Sequence, residues 1–190
     1  RVFAHFNAGK RSVALDLTQP DAQQIAKQLI AQSDVLIENF RPGVMAKFGL
    51  GYDDLREQFP SLVYCSISGF GQQGPFAQRA AYAPIAHAAS GFDYAYLSSQ
   101  GNVGGRPPDS GIMIADMLTG SYAFGAIQTA LLGRMQSGSG DFVDVTMMES
   151  MMSLIPRQLQ DAQLAKTPRD GGFRPIRVSD GYVMICIISE

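Results

Sequence analysis

An uncharged, β-rich run at residues 62–68 (LVYCSIS) limits the folds that this chain can adopt. Val, Tyr and Ile favour strands, and no charged residue marks one face of the run as solvent-exposed. Such a strand is typical of a sheet that is covered on both faces, as parallel sheets flanked by helices are. The run therefore predicts the α/β class with a parallel sheet.

The segments before this run have the order expected of such a sheet. Residues 12–17 (SVALDL) predict a strand, Pro20 opens a helix at a first-turn position, and residues 35–39 (VLIEN) predict the next strand. With short joints between them, these elements predict a right-handed parallel βαβ unit. The predicted buried face of the helix carries Ile25, Ala26, Leu29 and Ile30.

The rest of the chain continues the pattern of strands, helices and glycine-rich loops. Glycines and prolines indicate loops at residues 69–80 and 98–111, which would frame a cleft. A linker at residues 168–175 indicates a first domain over residues 1–170 and the start of a second over 171–190. Further helices are predicted at residues 44–48, 53–58, 84–91, 112–136 and 148–165, and further strands at 142–146 and 182–188.

Composition narrows the classes of partner. Only 17% of the residues are charged, which favours a surface partly covered by an oligomer interface. The net charge of −2 provides no broad positive field, so nucleic acid is not an expected partner. No apolar stretch approaches the length of a membrane span. Cys65 and Cys186 lie in apolar runs, which predicts unpaired thiols in a reducing cytoplasm.

Asp116 is the most informative acidic residue, because it is the single acid of the apolar segment GIMIADMLTG. No Lys or Arg lies three or four residues away to form a helical ion pair with it. Two interpretations stay open: an N-cap of the long helix, or a carboxylate nucleophile kept ionised by the helix dipole.

Other polar features are less specific. Residues 69–74 match the G-x-G-x-x-G pattern of dinucleotide-binding proteins, but Pro75 and a polar loop follow where a helix should begin. Arg41 and Lys47 follow a predicted strand, where α/β sheets place ligands, so phosphate binding and ordinary surface exposure both remain open. His5 and His87 lack neighbours at metal-ligand spacing, so no metal site is predicted.

Five sequence motifs follow one another along almost the whole chain: NAGKRSVALDL, SDVLIENFRPGVMAKFGLGYDDL, LVYCSISGFGQQGP, IADMLTG and GDFVDVTMMES. In this order they resemble the family III coenzyme A (CoA) transferases, the CaiB-like group that includes formyl-CoA transferase and the α-methylacyl-CoA racemases. The resemblance implies a Rossmann-like large domain, a smaller second domain and an interlocked homodimer. It also implies that the chain is an incomplete form of that fold, lacking an N-terminal strand and helix and most of the second domain.

The resemblance assigns roles to specific residues. Asp116 would attack an acyl-CoA thioester to form an aspartyl anhydride and then an aspartyl-CoA thioester, from which CoA passes to a small carboxylic acid. No tightly bound cofactor is expected. A glycine-rich loop with Gly69, Gly71 and Gly74 would lie over the aspartate. The CoA site would be lined by Leu15, Asn39, Phe40, Lys47 and Phe70, with Arg41 as a phosphate partner.

Two alternatives to transfer remain. The racemases of this group pair the aspartate with a histidine, and Tyr82 stands at the corresponding position here, which favours transfer because one of the two bases is absent. A non-catalytic CoA-binding or assembly protein would use Asp116 only as a helix cap. The donor acid, the acceptor acid and the pathway are not specified by these residues.

Overall fold

The computed structural model describes residues 2–99, 105–106, 111–164 and 173–186. It divides into two compact units, Arg1–Ile155 and Pro156–Glu190. The predicted domain boundary after residue 170 falls between 165 and 172, outside the described residues, and it stays a prediction.

The first unit contains a parallel three-stranded sheet, which confirms the predicted α/β class. Its strands are β1 (Val35–Glu38), β2 (Val63–Ser68) and β3 (Phe142–Thr146), in the order β1-β2-β3. The central strand β2 is the uncharged run that indicated this fold. It pairs in parallel with both neighbours, with Val35 opposite Val63 and Tyr64 opposite Phe142.

Helices surround this sheet, and a hairpin follows in the second unit. The predicted helix at Pro20 and the long helix after residue 112 are both confirmed. In the first unit, the helices are α1 (Val2–Phe6), α2 (Pro20–Ile30), α3 (Val44–Lys47), α4 (Tyr52–Leu55), α5 (Ala83–Ser90), α6 (Phe92–Ser99), α7 (Ile114–Ser137) and α8 (Met147–Met152). The second unit has α9 (Pro156–Gln163) and the antiparallel strands β4 (Phe173–Val178) and β5 (Gly181–Cys186).

The two faces of β2 bury separate hydrophobic clusters, because successive strand residues point to opposite sides. Tyr64 belongs to the cluster under α2, α3 and α4, whereas Val63 and Cys65 belong to the one under α7. Covered on both sides, β2 is almost wholly inaccessible to solvent, as the sequence predicted. The first cluster contains Ile30, Met45, Leu50, Leu55, Leu62 and Tyr64; the second contains Val63, Cys65, Ala123, Ile127 and Val145.

The strand predicted at residues 12–17 is wrong. That segment forms no regular secondary structure, and Val13 is 63% exposed. A strand needs a neighbour for its backbone groups, and in the described part of the chain β1 pairs with β2 alone. The predicted βαβ unit therefore does not form there, and Ile25 and Leu29 of α2 are exposed rather than buried.

The single helix predicted at residues 148–165 is also wrong. Helix α8 ends at Met152 and α9 begins at Pro156. Proline has no backbone N–H and clashes with the preceding helical turn, so a helix starts at it more readily than it continues through it. The linker predicted at 168–175 ends earlier, because Phe173 to Pro175 belong to β4; the part up to 172 lies outside the described residues. The strand predicted at 182–188 is confirmed as β5 up to Cys186.

Candidate active site

Asp116 lies in the first turn of α7, at the third helical residue, and its side chain is exposed. The N-cap of the helix is Met113, so the interpretation of Asp116 as the cap is wrong. The free N–H groups and the dipole of a helix N-terminus stabilise a negative charge in the first turn.

His87 fixes the start of this helix. The imidazole is buried, and its Nε2 accepts a hydrogen bond of 3.2 Å from the backbone N–H of Ala115. His87 is therefore a buried, hydrogen-bonded histidine. The bond satisfies one of the free N–H groups at the helix start and fixes the backbone directly before Asp116.

A cavity of ≈ 320 Å³ brings Asp116 together with several of the predicted CoA-site residues. Its walls come from the segment after β1, the end of β2 with the segment after it, and the starts of α7 and α8. The first two of these are the carboxyl ends of parallel strands, where α/β proteins generally bind ligands. The predicted residues that line it are Asn39, Phe40, Arg41, Gly69 and Asp116.

The remaining predicted residues do not line this cavity. Leu15 lies in the irregular segment before α2, and Lys47 is exposed at the end of α3. The Phe70 ring packs against Phe76, with 6.1 Å between the ring centroids. Gly71 and Gly74 have positive φ angles of 89° and 96°, which glycine adopts without strain. Their roles toward CoA stay predictions.

Glycine is required at position 69 because the backbone there lies very close to Ala81. A Cβ at Gly69 would overlap the Cβ of Ala81, which also lines the cavity. No helix follows residues 69–74 until α5 begins at Ala83, so the loop lacks the helix of a dinucleotide-binding fingerprint, as its sequence context indicated.

Arg79 is a site residue that sequence reasoning did not predict. It lines the cavity with Asp116, and its guanidinium carbon lies 4.2 Å from the centre of the Phe76 ring, a cation–π contact. Its position in a polar loop was the available signal, but the loop sequence does not reveal which side chains face the cavity. The other lining residues not predicted as site residues are Pro42, Ser68, Ala77, Ala80, Ala81, Tyr82 and Met147.

In the part of the chain that the structure describes, no ion pair neutralises the charged side chains at this cavity. The ion pairs found among the described residues do not include Arg41, Arg79 or Asp116. Two guanidinium groups are thus available to anionic oxygens beside a free carboxylate. The arrangement suits a ligand with more than one anionic group that presents a reactive carbonyl to Asp116.

A second cavity of ≈ 300 Å³ lies between α7, β3 and α8, lined by residues that include Tyr122, Asp144 and Glu149. It contains none of the predicted site residues. Within the described ranges, no three His, Cys, Asp or Glu side chains are grouped so that they could hold a metal ion. In the same part of the chain, no helix has both the length and the apolar character needed to cross a bilayer.

These features define an α/β domain with a ligand cavity at the carboxyl ends of parallel strands. The sequence matches the family described as CoA-transferase family III over residues 1–190. The chain belongs to this family, which confirms the resemblance.

Curated relatives and solved structures agree with this assignment. The chain is 36% identical to the succinate–glutarate CoA-transferase of Agrobacterium fabrum, over 95% of this chain and 46% of that protein. It is 38% identical to the succinyl-CoA:glutarate CoA-transferase of Homo sapiens, over 94% of this chain and 42% of that protein. A CaiB/BaiF family protein from Brucella suis is 33% identical with a TM-score of 0.76, over 94% of this chain and 50% of that one. The chain thus spans less than half the length of these two curated relatives.

Proposed function

We propose that the protein transfers CoA from an acyl-CoA donor to a carboxylic acid through covalent intermediates on Asp116. The observation that carries the proposal is that Asp116, exposed in the first turn of α7, shares one cavity with Asn39, Phe40 and Arg41. A nucleophile, a cationic wall and a strand-end cavity are the parts that this chemistry needs. Family membership supports the same reaction class.

The proposed reaction has four steps, and no thioester is lost to water. An Asp116 oxygen attacks the thioester carbonyl, which gives an aspartyl anhydride and the CoA thiolate. The thiolate attacks the aspartyl carbonyl, which releases the donor carboxylate and leaves CoA on Asp116 as a thioester. The acceptor carboxylate then attacks this thioester, forming a new anhydride and releasing the thiolate again. The thiolate finally attacks the acceptor's acyl carbon, and Asp116 is free.

Asn39, Phe40 and Arg41 form the wall along which we propose that CoA binds, with Arg41 facing a phosphate group. We extend the CoA site to Leu15, Lys47 and Phe70, which lie outside the cavity. CoA is far longer than the cavity, so contacts beyond its lining are expected. The loop that contains Gly69, Gly71 and Gly74 would lie over Asp116, where glycine lets the backbone come close to the reacting carbonyl.

For the acceptor we propose a small dicarboxylic acid. The curated relatives named above act, by their names, on succinate and glutarate. In this chain Arg79 provides a cation at the same cavity as Asp116, so it could bind the carboxylate that does not react.

We also propose that the active protein is an interlocked homodimer in the cytoplasm. Long apolar side chains on α7 support the dimer, since Phe124 is 66% exposed and Met135 is 82% exposed in the isolated chain. The free thiol of Cys65 fits a reducing compartment.

Racemisation is the alternative reaction, and Tyr82 disfavours it. The two histidines of the chain are His5 and His87, and neither lines the cavity, whereas Tyr82 does. A two-base proton exchange would therefore lack its second base there.

The test is to incubate the full-length protein with succinyl-CoA and a panel of mono- and dicarboxylic acids, and to detect new CoA thioesters by mass spectrometry. We expect transfer to dicarboxylates, and its loss in Asp116→Asn. Deuterium entering the α-carbon of a branched acyl-CoA from solvent, with no new thioester, would instead establish the racemase reaction.

A further inference from the structure

Glu38 is a buried carboxylate at the end of β1, only 9% exposed, and it does not line the cavity. Its Oε2 accepts a hydrogen bond of 2.7 Å from the backbone N–H of Phe40, and its Oε1 bonds to the hydroxyl of Ser66 on β2. The ion pairs found in the described part of the chain do not include it. A buried carboxylate without a cation needs such hydrogen bonds, so both oxygens are committed.

The hydrogen-bonded chain continues from Ser66 into the glycine-rich loop. Ser66 is buried, and its Oγ accepts a hydrogen bond of 2.7 Å from the side-chain amide of Gln72. The backbone N–H of Gln72 donates to Asp144 Oδ2 on β3, at 3.0 Å. Gln72 is therefore tied to β2 by its side chain and to β3 by its backbone.

The two ends of this hydrogen-bonded chain lie in two segments that each contribute residues to the cavity lining. Phe40 belongs to the wall after β1, and Gln72 belongs to the loop that begins at the lining residue Gly69. Two further bonds support the same arrangement. The Asn39 amide donates to the backbone oxygen of Ile67 at 2.7 Å, and the Gly71 N–H donates to Ser68 Oγ at 2.9 Å.

We infer that Glu38 is a positioning residue that sets the spacing between the wall at Asn39, Phe40 and Arg41 and the loop at residues 69–74. This rests on the proposed function, because that spacing determines how a CoA thioester lies relative to Asp116. Displacement of a reacting group by about 1 Å can reduce a rate by roughly 100-fold. Glu38 itself contacts neither the substrate nor the reacting atoms.

The role requires a carboxylate rather than an amide. An ionised carboxylate is an acceptor at both oxygens, and here both of its partners are donors. In Glu38→Gln, either the new NH₂ group faces the N–H of Phe40, or Ser66 accepts from two amides and its own proton is left without a partner. The first arrangement breaks the connection between the wall and the loop, and the second weakens it, because it leaves a buried hydroxyl proton without an acceptor.

The experiment compares Glu38→Gln, Gln72→Leu and the double variant in the full-length protein. Glu57→Gln is the matched control, since Glu57 is exposed and lies outside this cavity. The measurements are kcat and KM with succinyl-CoA, the Kd of free CoA by calorimetry, and the thermal midpoint. We expect each single variant to lose roughly 10- to 100-fold in kcat/KM, and to weaken CoA binding, while still unfolding cooperatively.

The double variant distinguishes positioning from a general loss of stability. Because both residues act through Ser66, we expect it to lose no more than the worse single variant. The inference would be overturned if the double variant lost kcat/KM by the product of the two single losses. It would also be overturned if a folded single variant kept both kcat/KM and the Kd of CoA within twofold of the wild-type values. If Glu38→Gln does not fold, Gln72→Leu alone decides, because Gln72 is only half-buried.

The wild-type arm tests the proposed function separately. A wild-type protein that binds CoA but transfers none would refute the transferase proposal, and the Kd values of the variants would still test the role of Glu38. Wild-type transfer with unchanged variants would refute the role of Glu38 alone.

Discussion

Three side chains carry the proposed chemistry at the scale of single residues: Asp116, Arg41 and Arg79. The sequence drew attention to Asp116 as a lone acid in an apolar segment and to Arg41 as a cation after a strand, and the family resemblance then assigned their roles. Arg79 was not predictable, since the path of the loop at residues 69–80 decides which of its polar side chains faces the cavity. The N-cap alternative for Asp116 failed by a few residues, which is the usual uncertainty of a helix boundary read from sequence.

Arg79→Gln is expected to raise the KM for the acceptor acid by roughly 10- to 100-fold, as the loss of one charge-assisted hydrogen bond implies. The KM for succinyl-CoA should change less, because we assign its phosphates to Arg41. Initial rates with each substrate varied in turn measure both constants.

Arg56→Gln is the control for this change. Arg56 is exposed, pairs with Asp53 at 3.5 Å and lies outside the cavity. A rise in the KM for succinyl-CoA but not for the acid would mean that Arg79 binds CoA rather than the acceptor.

Cys65 should make stability depend on pH in the alkaline range. Burial, with smaller contributions from the charges of Glu38 and Asp144, raises the pKa of its thiol to about 11. The unfolded thiol loses its proton at lower pH than the folded one, so its contribution is complete below about pH 9 and is lost as the pH rises toward 11. We expect denaturant midpoints to show a loss on the order of 2 kcal/mol across this range.

Cys65→Ala isolates this contribution. The free energy of unfolding of this variant should fall less steeply between pH 9 and 11 than that of the wild type. Any effect of the smaller side chain changes the stability at every pH by the same amount, but it does not change this slope. Parallel profiles of the two proteins would show that Cys65 does not titrate as described.

At the scale of secondary-structure elements, the sequence correctly predicted helices and strands of two kinds: those stabilised by local interactions and those that are completely buried. Strand β2 and helix α7 are among them. The segment at residues 12–17 has a strand-like pattern, but whether it becomes a strand depends on a neighbour that its own sequence does not specify. The helix break before Pro156 was predictable from proline chemistry, and the apolar methionines obscured it.

Gly140 precedes β3 at a point where its backbone lies against Leu62, the residue just before β2. A Cβ at Gly140 would overlap the carbonyl group of Leu62, whereas a Cβ at Gly133 of α7 meets nothing within 4 Å. Gly140→Ala should therefore destabilise the protein by about 2–3 kcal/mol, because backbone must move to relieve the overlap. Chemical denaturation measures the change.

Gly133→Ala serves as the matched control for Gly140→Ala. It should be neutral or slightly stabilising, since alanine has the higher helix propensity. Equal stability changes for the two variants would contradict the close approach at Gly140.

At the scale of the whole molecule, the cavity depends on regions that are distant in sequence. The parallel order β1-β2-β3 brings the segments after β1 and β2 together, and the first turn of α7 completes the cavity with Asp116. This explains why five of the predicted residues meet there, whereas Leu15 and Lys47 lie on elements that the cavity does not include. Any contacts of these residues with the additional segments of the longer relatives cannot be predicted from this chain.

The most direct test of the account is to locate the covalent intermediate. The full-length protein is incubated with succinyl-CoA, treated with hydroxylamine or borohydride, digested, and mapped by peptide mass spectrometry, with Asp116→Ala in parallel. The account predicts a modified peptide at Asp116 that is absent from the variant. Transfer of CoA that proceeds with Asp116 unmodified, or in the Asp116→Ala protein, would contradict it.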